Sequence, residues 1–488
     1  MNLTAQRGDY RLTFAVLTVG VAAYALLQSL VTPVLPTIEK ALGTSQTNVT
    51  WVLTAYLLSA SVFTPVVGRL GDIYGKKRLF VVALAALAIG SLLAALASSL
   101  VVMVIARVIQ GVGGGVLPLT FGIIRDEFPK EKVPGAVGMV AALASVGAGL
   151  GIVLAGPIVD AFSYHWLFWI PLMMISVAGL AAHLLIPESP VRTAGKINWF
   201  TAFLLSGWLV ALLLAVSQSP TWGWGSFKVI SMLVLAAVVA AAWILAESRS
   251  SNPLIDMKMM RVRTIWAANL VALLMGIGMY AALGFIPQFL QTPPEAGYGF
   301  GASVTQSGLM MLPNTIGMFL AGLAAGRLSL RFESKNLLVV GSVLTAIGYF
   351  MVAFLHSAEA VIYLAMAVVG IGFGMAFSAV SNVVVAAVAA EQTGAANGMN
   401  TNIRTIGGSL GAASWQALSQ PASPRRGCPR KPATPMASSC WRSQSASAPS
   451  RHCSYLQSDE IERSIARSRK TCRSHRLPEE LRAGGRSH

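Results

Sequence analysis

The chain contains twelve long apolar segments, each of the length that a helix needs to cross a lipid bilayer. Such a crossing takes about 20 mostly apolar residues. Helices satisfy their backbone N–H and C=O groups with internal hydrogen bonds, and lipid offers no hydrogen-bond partners. The pattern therefore predicts an all-α polytopic membrane protein, and a thirteenth segment begins near Ala396. The twelve predicted spans are residues 12–36, 49–68, 79–98, 100–124, 137–160, 166–186, 199–217, 229–246, 265–290, 304–326, 337–356 and 358–383.

The charged residues agree with this topology. Only 11% of the residues are charged, against about 25% in soluble domains. Most lysines and arginines before residue 414 lie at the N-terminus or in alternate connections between spans. Basic connections stay on the cytoplasmic side, so we expect a multi-pass protein of the cell (inner or plasma) membrane with a cytoplasmic N-terminus. Of the net charge of +17, residues 1–413 carry +8, mostly in connections that border the bilayer, and the remaining +9 belongs to residues 414–488. We therefore expect no nucleic-acid partner.

A short basic segment, residues 68–77, connects the second and third predicted spans. It reads Gly-Arg-Leu-Gly-Asp-Ile-Tyr-Gly-Lys-Lys, and its glycines suit a tight reversal of the chain. Asp72 is its only acid, so we expect this side chain to form a salt bridge or a helix-end contact that stabilises one conformation. The segment resembles the loop signature of the major facilitator superfamily, with Ile73 where that family often has arginine. The resemblance implies a gating role for Gly68, Asp72, Gly75, Lys76 and Lys77.

The fourth span carries an arginine far from either end. Arg107 is followed by the pair Gln110-Gly111 and by more glycines, which resembles the second motif of the same family. An arginine inside a bilayer costs at least about 3 kcal/mol, so it has to face a partner or a water-filled cavity. The resemblance implies a coupling role for Arg107, Gln110 and Gly111. The alternative is a structural arginine that hydrogen-bonds to neighbouring backbone.

The fifth span is rich in small residues. They recur at positions 147, 151 and 155, which places them on one helix face where another helix can approach closely. The span resembles the glycine-rich motif of the exporter branches, with Ala148 where that motif usually has proline. The resemblance implies a helix-packing role for Gly147, Gly151, Gly156 and Pro157.

Two parts of the chain echo each other. Residues 326–335 repeat the basic segment in weakened form, and residues 370–374 repeat the glycine run of the fourth span. Such internal repeats are typical of transporters built from two related halves. We therefore predict two six-helix bundles with two inserted helices between them, as in the 14-span drug:proton antiporter branch. The predicted division is an N-terminal bundle at 1–190, the inserted helices and a cytoplasmic linker at 191–264, an incomplete C-terminal bundle at 265–413 and a tail at 414–488.

The composition changes abruptly after residue 413. The tail is rich in serine, proline and arginine, holds all four cysteines and has no apolar run long enough for a span. The cysteines follow no metal or disulfide spacing. Two interpretations stay open: a disordered cytoplasmic tail, which this composition fits, or a shift of reading frame. The second interpretation is favoured because the change cuts through the thirteenth span, and the last spans would then be missing.

The frame-shift interpretation makes a direct prediction. A one-base change of frame near codon 413 should restore two apolar spans followed by a short polar terminus. Reading the nucleotide sequence around that codon in all three frames tests it. Stop codons or polar sequence in both other frames would rule this interpretation out.

Several polar and aromatic residues lie on spans that face the central cavity in the family. Aromatic and methionine side chains suit bulky amphiphiles, because they offer polarizable and adaptable contacts. As a set they favour an organic, mostly apolar substrate over a sugar, although any single aromatic residue could instead face lipid. The candidate substrate-binding residues are Tyr24, Gln28, Trp51, Tyr56, Tyr280, Gln288 and Asn314.

Together these features predict a secondary active transporter, a monomer that exports hydrophobic or cationic organic compounds (multidrug or antibiotic efflux) by proton antiport. No carboxylate lies near the middle of a predicted span, so the proton site stays open among Asp72, Asp126, Glu127 and Asp160. The alternatives are an inactive truncated exporter and a transporter of another small organic metabolite. The scattered histidines do not suit an enzyme, and we expect no catalytic residue, metal or cofactor.

Overall fold

The computed structural model describes residues 10–189, 197–296, 298–329, 331–355 and 358–419, and the regular structure in these ranges is entirely helical. Twelve of the described helices are long and apolar enough to cross a membrane. The protein is therefore an all-α, multi-pass membrane protein, as the sequence predicts. These twelve helices are α1 Tyr10–Leu30, α2 Trp51–Tyr74, α3 Lys76–Ala95, α4 Leu100–Glu127, α5 Val133–Ala161, α6 Trp166–Leu185, α7 Trp199–Trp222, α8 Phe227–Arg249, α9 Arg263–Gln291, α10 Val304–Leu328, α11 Ser334–Phe354 and α12 Glu359–Ala387. A further long helix, α13 Thr393–Ser419, is not among the twelve.

Two helices differ from the predicted spans: α4 contains a 3-10 turn, and α13 extends past residue 413. In α4 a 3-10 turn at Val112–Gly115 joins two α-helical segments, where the glycines pack closely against α2 and α3. The thirteenth helix, α13, begins at Thr393 and continues to Ser419, beyond the change of composition at residue 413. Residues 420–488 lie outside the described ranges, so both interpretations of the tail stay predictions.

The predicted reversal at residues 68–77 is much tighter than expected. α2 continues to Tyr74, α3 begins at Lys76, and only Gly75, with φ of 114°, adopts a conformation that favours glycine. Gly68 lies within α2 and makes a close packing contact: a Cβ atom there would lie 2.5 Å from the carbonyl oxygen of Gly394. The prediction that several glycines form the turn was wrong, because the residues before Gly75 continue the helix.

The helices pack in two groups. In the first group α1 contacts α5 and α6, and α4 contacts α2 and α3; in the second group α12 contacts α10 and α11, and α9 contacts α13. The groups meet where α5 packs on α10 and where α2 packs on α13. The two helices that the sequence predicts to be inserted form the pair α7 and α8, and α7 contacts both α2 and α13.

The small residues of α5 allow α1 to approach closely. A Cβ atom at Gly147 would lie 2.7 Å from the Cβ of Ala25, and one at Gly151 would overlap the Ser29 hydroxyl. Ser29 Oγ donates a hydrogen bond to the Gly147 carbonyl at 3.1 Å. This is the tight packing that small residues permit between membrane helices.

Gly156 and Pro157 do not share this contact. Both residues are exposed, and a Cβ atom at Gly156 would meet no other atom within 4 Å. The packing role that the sequence suggests for these two residues is therefore not found in the described part of the chain. The reason is that position 156 lies about 100° around the helix from the face formed by residues 147, 151 and 155.

This difference gives a matched pair of variants. Gly151→Ala should destabilise the protein by about 1–3 kcal/mol, because the added methyl overlaps Ser29 and has to push α1 away. Gly156→Ala should change stability by less than about 0.5 kcal/mol, since its methyl meets open space. Thermal unfolding of the two detergent-purified variants measures both effects. Equal melting temperatures would contradict the packing of α1 on α5.

Candidate functional site

One end of the molecule, which we call the basic end, holds residues 68–78, 125–132 and 388–395. Here Asp72 at the end of α2 is fully buried and accepts hydrogen bonds from the backbone N–H groups of Gly394 at 3.2 Å and Ala395 at 3.0 Å. These groups belong to the first turn of α13, where a helix favours negative charge. Asp72 Oδ1 also lies 3.8 Å from Lys76 Nζ. Asp72 thus has both the helix-end contact and the salt bridge that the sequence left as alternatives.

Lys76 joins both groups of helices at the basic end. Its side chain is fully buried, and its Nζ lies 2.6 Å from Asp126 Oδ2 at the end of α4. The same ammonium donates to the Ala390 carbonyl at 3.4 Å, and the Ser189 hydroxyl donates to Asp126. Since a buried charge is costly without a partner, these contacts hold Lys76 in one arrangement.

Arg125 completes the set from the first group of helices. Its guanidinium donates to the carbonyls of Val388 at 2.6 Å and Ala389 at 3.3 Å and to Thr393 Oγ1 at 2.8 Å. The two carbonyls follow the C-terminus of α12, where a helix favours positive charge. Four side chains therefore fix the connection between α12 and α13, at the C-terminus of α12 and at the N-terminus of α13. They are Asp72, Lys76, Arg125 and Asp126. We call these four residues and residues 388–395 the clamp.

Gly75 and Lys77, the other two predicted gating residues near the turn between α2 and α3, do not belong to the clamp. Gly75 provides the turn between α2 and α3, and a Cβ atom there would overlap the Glu188 carboxylate. Lys77 is half-buried and makes no ion pair with a described residue. Sequence reasoning found Asp72 and Lys76 and missed the clamp role of Arg125, although its place beside Asp126 at the end of a span was an available clue.

The middle of the molecule contains a second site around Arg107. Its side chain is fully buried; Nε donates to the Val52 carbonyl at 3.0 Å and Nη1 to Gln110 Oε1 at 2.7 Å. Gln110 in turn donates to Ser91 Oγ at 3.1 Å. Nη2 is buried and has no hydrogen-bond partner among the described residues. Arg107 therefore hydrogen-bonds to the backbone, as a structural arginine does, while its Nη2 group still has no partner among the described residues.

Gly111 follows Gln110 and lets α4 approach α2. A Cβ atom at Gly111 would overlap the Ser59 hydroxyl and lie 2.7 Å from the backbone nitrogen of Ala60. Ser59 Oγ donates to the Val108 carbonyl at 2.6 Å. The close approach keeps the segment that carries Arg107 fixed against α2.

Tyrosines connect Arg107 with a second arginine. The Arg107 guanidinium carbon lies 4.5 Å from the centre of the Tyr56 ring, a cation–π distance. Tyr56 also interacts electrostatically with Tyr24, and Tyr24 and Tyr280 both interact electrostatically with Arg404. These residues come from α1, α2 and α4 of the first group and from α9 and α13 of the second. We call the five residues the cation–tyrosine cluster.

The sequence predicts a thirteenth segment that begins near Ala396, which would place Arg404 close to its start. Since α13 runs from Thr393 to Ser419, Arg404 lies near the middle of the helix. Arg107 is therefore not the only charge far from a helix end. The polar beginning of α13 hid this, because a run of asparagines and threonines lowers the hydropathy before Arg404.

The other candidate substrate-binding residues do not join the cluster. Gln28 and Trp51 are half-buried, and Gln288 is exposed. Within the described ranges, none of these three side chains hydrogen-bonds to a tyrosine of the cluster. Asn314 instead lines a cavity of about 50 Å³ within the second group of helices.

We call this the methionine cavity because four methionines line it. Its wall also includes Tyr349 and Phe373, and Phe373 lies one helical turn before Phe377, whose ring centre is 4.3 Å from the Arg404 guanidinium carbon. Met279 directly precedes Tyr280 in α9. The cavity and the cluster are thus neighbours in two helices. The four methionines are Met279, Met311, Met318 and Met366.

Comparison with known proteins agrees with this architecture. The chain is 29% identical over 415 residues to Multidrug resistance protein 3 of Bacillus subtilis, covering 84% of this chain and 79% of that protein. It is 29% identical over 405 residues to the tetracenomycin C resistance and export protein of Streptomyces glaucescens, covering 82% and 74%. The structure of the human organic anion transporter MFSD10 superposes with a TM-score of 0.60 over 84% of this chain and 93% of that one, at 17% identity, which shows the fold alone.

The family comparison covers most of the described part. The model of the Major Facilitator Superfamily matches residues 17–412, which include the clamp and the cation–tyrosine cluster. The basic segment and the glycine motifs on which the sequence resemblance rests also lie within this match. The chain belongs to the major facilitator superfamily.

Proposed function

We propose that the protein is a drug-efflux transporter that moves hydrophobic organic compounds out of the cell. The observation that carries the proposal is the methionine cavity beside a cluster of three tyrosines where the two groups of helices meet. Aromatic and methionine side chains bind varied apolar shapes. The names of the relatives, which refer to multidrug resistance and antibiotic export, support the same function.

The charge distribution supports an orientation. Because basic residues favour the cytoplasmic side, we place the basic end in the cytoplasm, the N-terminus on the same side and the protein in the cell membrane as a monomer. The clamp then closes the cytoplasmic end. Transport requires this end to open, so the clamp residues Asp72, Lys76, Arg125 and Asp126 break and re-form their contacts in each cycle.

The choice between hydrophobic and cationic substrates follows from the charges near the cavity. The cation–tyrosine cluster contains two arginines, and every carboxylate on a described long helix lies within one turn of a helix end. A substrate cation would therefore meet like charge without a nearby acid. This favours a hydrophobic substrate over a cationic one.

Coupling to protons follows as part of the proposal. A proton antiporter needs a group that takes up and releases a proton during the cycle. Asp72 and Asp126 are the candidates that the geometry favours, since both are buried in the clamp and change partners when it opens. Proton antiport would thus couple to the opening of the cytoplasmic end.

Dye accumulation in bacterial cells tests the proposal. Cells that express the chain should retain less of at least one hydrophobic dye than cells with an empty vector, and a proton uncoupler should remove the difference. Efflux that persists with the uncoupler would exclude proton coupling but would still support the transport function. Efflux by a frame-corrected chain, without efflux by the chain as it stands, would identify the inactive truncated exporter. No efflux by either chain across a broad panel would contradict the function.

A further inference from the structure

Arg404 lies near the middle of α13, which packs against the membrane-spanning helices α9 and α2, and it has no acidic partner among the described residues. Its side chain is half-buried, and in the described ranges its guanidinium forms no hydrogen bond or ion pair. An ionised side chain at this depth is expensive and normally faces a partner or a water-filled space. The contact that does occur, with the Phe377 ring at 4.3 Å, satisfies none of the five N–H donors.

The groups that surround Arg404 suit an anion. A Cβ atom at Gly408, one helical turn after Arg404, would lie 2.7 Å from the Tyr280 ring. Tyr24 and Tyr280, from opposite groups of helices, both interact electrostatically with Arg404, and each phenol O–H can donate a hydrogen bond. Through Tyr24 and Tyr56 the cluster continues to Arg107, whose buried Nη2 also lacks a partner. The cluster therefore presents several donors and two positive charges around one region.

The described helices contain no acid that could neutralise this region. Their carboxylates all lie within one turn of a helix end: Asp72, Asp126, Glu127, Asp160, Glu247 and Glu359. A negative charge for Arg404 therefore has to come from outside these helices. A substrate that enters the central cavity could supply it.

The residues that line the methionine cavity give the region beside Arg404 an apolar wall. Phe373 in its wall and Phe377 under Arg404 are one turn apart on α12, and Met279 in its wall is next to Tyr280. An acidic group at Arg404 thus leaves an attached apolar body close to the cavity. One molecule could use both features.

We propose that Arg404, with Tyr24 and Tyr280, binds the acidic group of an amphiphilic organic anion whose apolar body contacts residues that line the methionine cavity. This rests on the proposed efflux function and narrows its substrates to weak organic acids. A guanidinium binds a carboxylate through two parallel hydrogen bonds, which a lysine cannot reproduce. Arg404 is then the residue that selects anions over cations.

The test uses two dyes that share a xanthene ring system. Fluorescein is an anion at mildly alkaline pH, and tetramethylrhodamine methyl ester is a cation. Binding of each dye to the purified full chain in detergent is measured by fluorescence anisotropy. Arg404→Gln should weaken fluorescein binding at least about tenfold, since hydrogen bonds to charged groups contribute strongly. Arg404→Lys should weaken it less, and neither variant should weaken binding of the cationic dye.

Two further variants separate local from general effects. Tyr280→Phe keeps the ring and removes one donor, so it should weaken fluorescein binding by a smaller factor than Arg404→Gln. Arg331→Gln removes a positive charge from an exposed connection and should leave both affinities unchanged. Size-exclusion chromatography verifies that each variant is folded, and Arg404→Lys replaces Arg404→Gln if the latter is not.

The outcomes distinguish this inference from the efflux function. Fluorescein affinity that is unchanged in folded Arg404→Gln, or binding of the cationic dye alone, would overturn the anion site. In either case efflux of neutral hydrophobic dyes from cells would still support the transporter. Loss of all efflux in cells, with the Arg404 dependence of fluorescein binding intact, would instead contradict the efflux function.

Discussion

Arg107→Ala is expected to abolish efflux. The substitution leaves the Val52 carbonyl and Gln110 Oε1 without their buried donor, and each such loss costs about 1–3 kcal/mol. It also removes the cation from the face of the Tyr56 ring. The rate of dye efflux should fall at least about tenfold, which a loss of only 1.4 kcal/mol already produces.

Arg107→Lys is the matched control. It keeps the charge but lacks the planar fork that reaches Val52 and Gln110 at once, so part of the efflux should remain. Membrane insertion and monodispersity of both variants are measured beside the initial efflux rates. A folded Arg107→Ala protein with the normal rate would show that Arg107 has no part in transport.

Asp72→Asn is expected to weaken the closed clamp. The substitution removes a carboxylate from the first turn of α13 and from the surroundings of Lys76. An anion at a partly buried helix N-terminus contributes up to about 2 kcal/mol, which corresponds to about a 30-fold change in the equilibrium between closed and open forms. Efflux should fall while insertion into the membrane stays normal.

Spin labels measure the equilibrium directly. Labels at positions 74 and 386, both exposed and located on α2 and α12, should show a larger population at long distance in Asp72→Asn. The control Asp160→Asn changes an exposed acid at the end of α5 and should leave the distances unchanged. An unaltered distance distribution and unaltered efflux in Asp72→Asn would mean that the basic segment affects only the membrane topology of the chain and has no gating role.

Hydropathy was sufficient to predict the helices, because lipid allows few other structures. The exact ends were harder to place. Residues 68–74 looked like a connection since they contain glycine and charge, yet they continue α2, where Asp72 accepts hydrogen bonds from backbone N–H groups of α13. These partners are more than 300 residues away in the chain, so local sequence does not indicate them.

The functional residues were predictable where their partners lie close in the sequence. Arg107 and Gln110 were found because their partners lie within or beside the same motif. Arg125 and Arg404 were missed as functional residues: one contacts residues 388–393, and the other is placed by the packing of α13 on α9. The tyrosines of α1, α2 and α9 were expected in the cavity from the family resemblance, but their contact with a second arginine appears only in three dimensions.

Transport into inverted membrane vesicles tests the central claim most directly. In such vesicles the cytoplasmic side faces the medium, so export appears as uptake. Vesicles that contain the chain should take up at least one hydrophobic compound faster than vesicles that contain equal amounts of Arg107→Ala. Equal uptake by both for every compound of a broad panel of dyes and antibiotics would contradict the account.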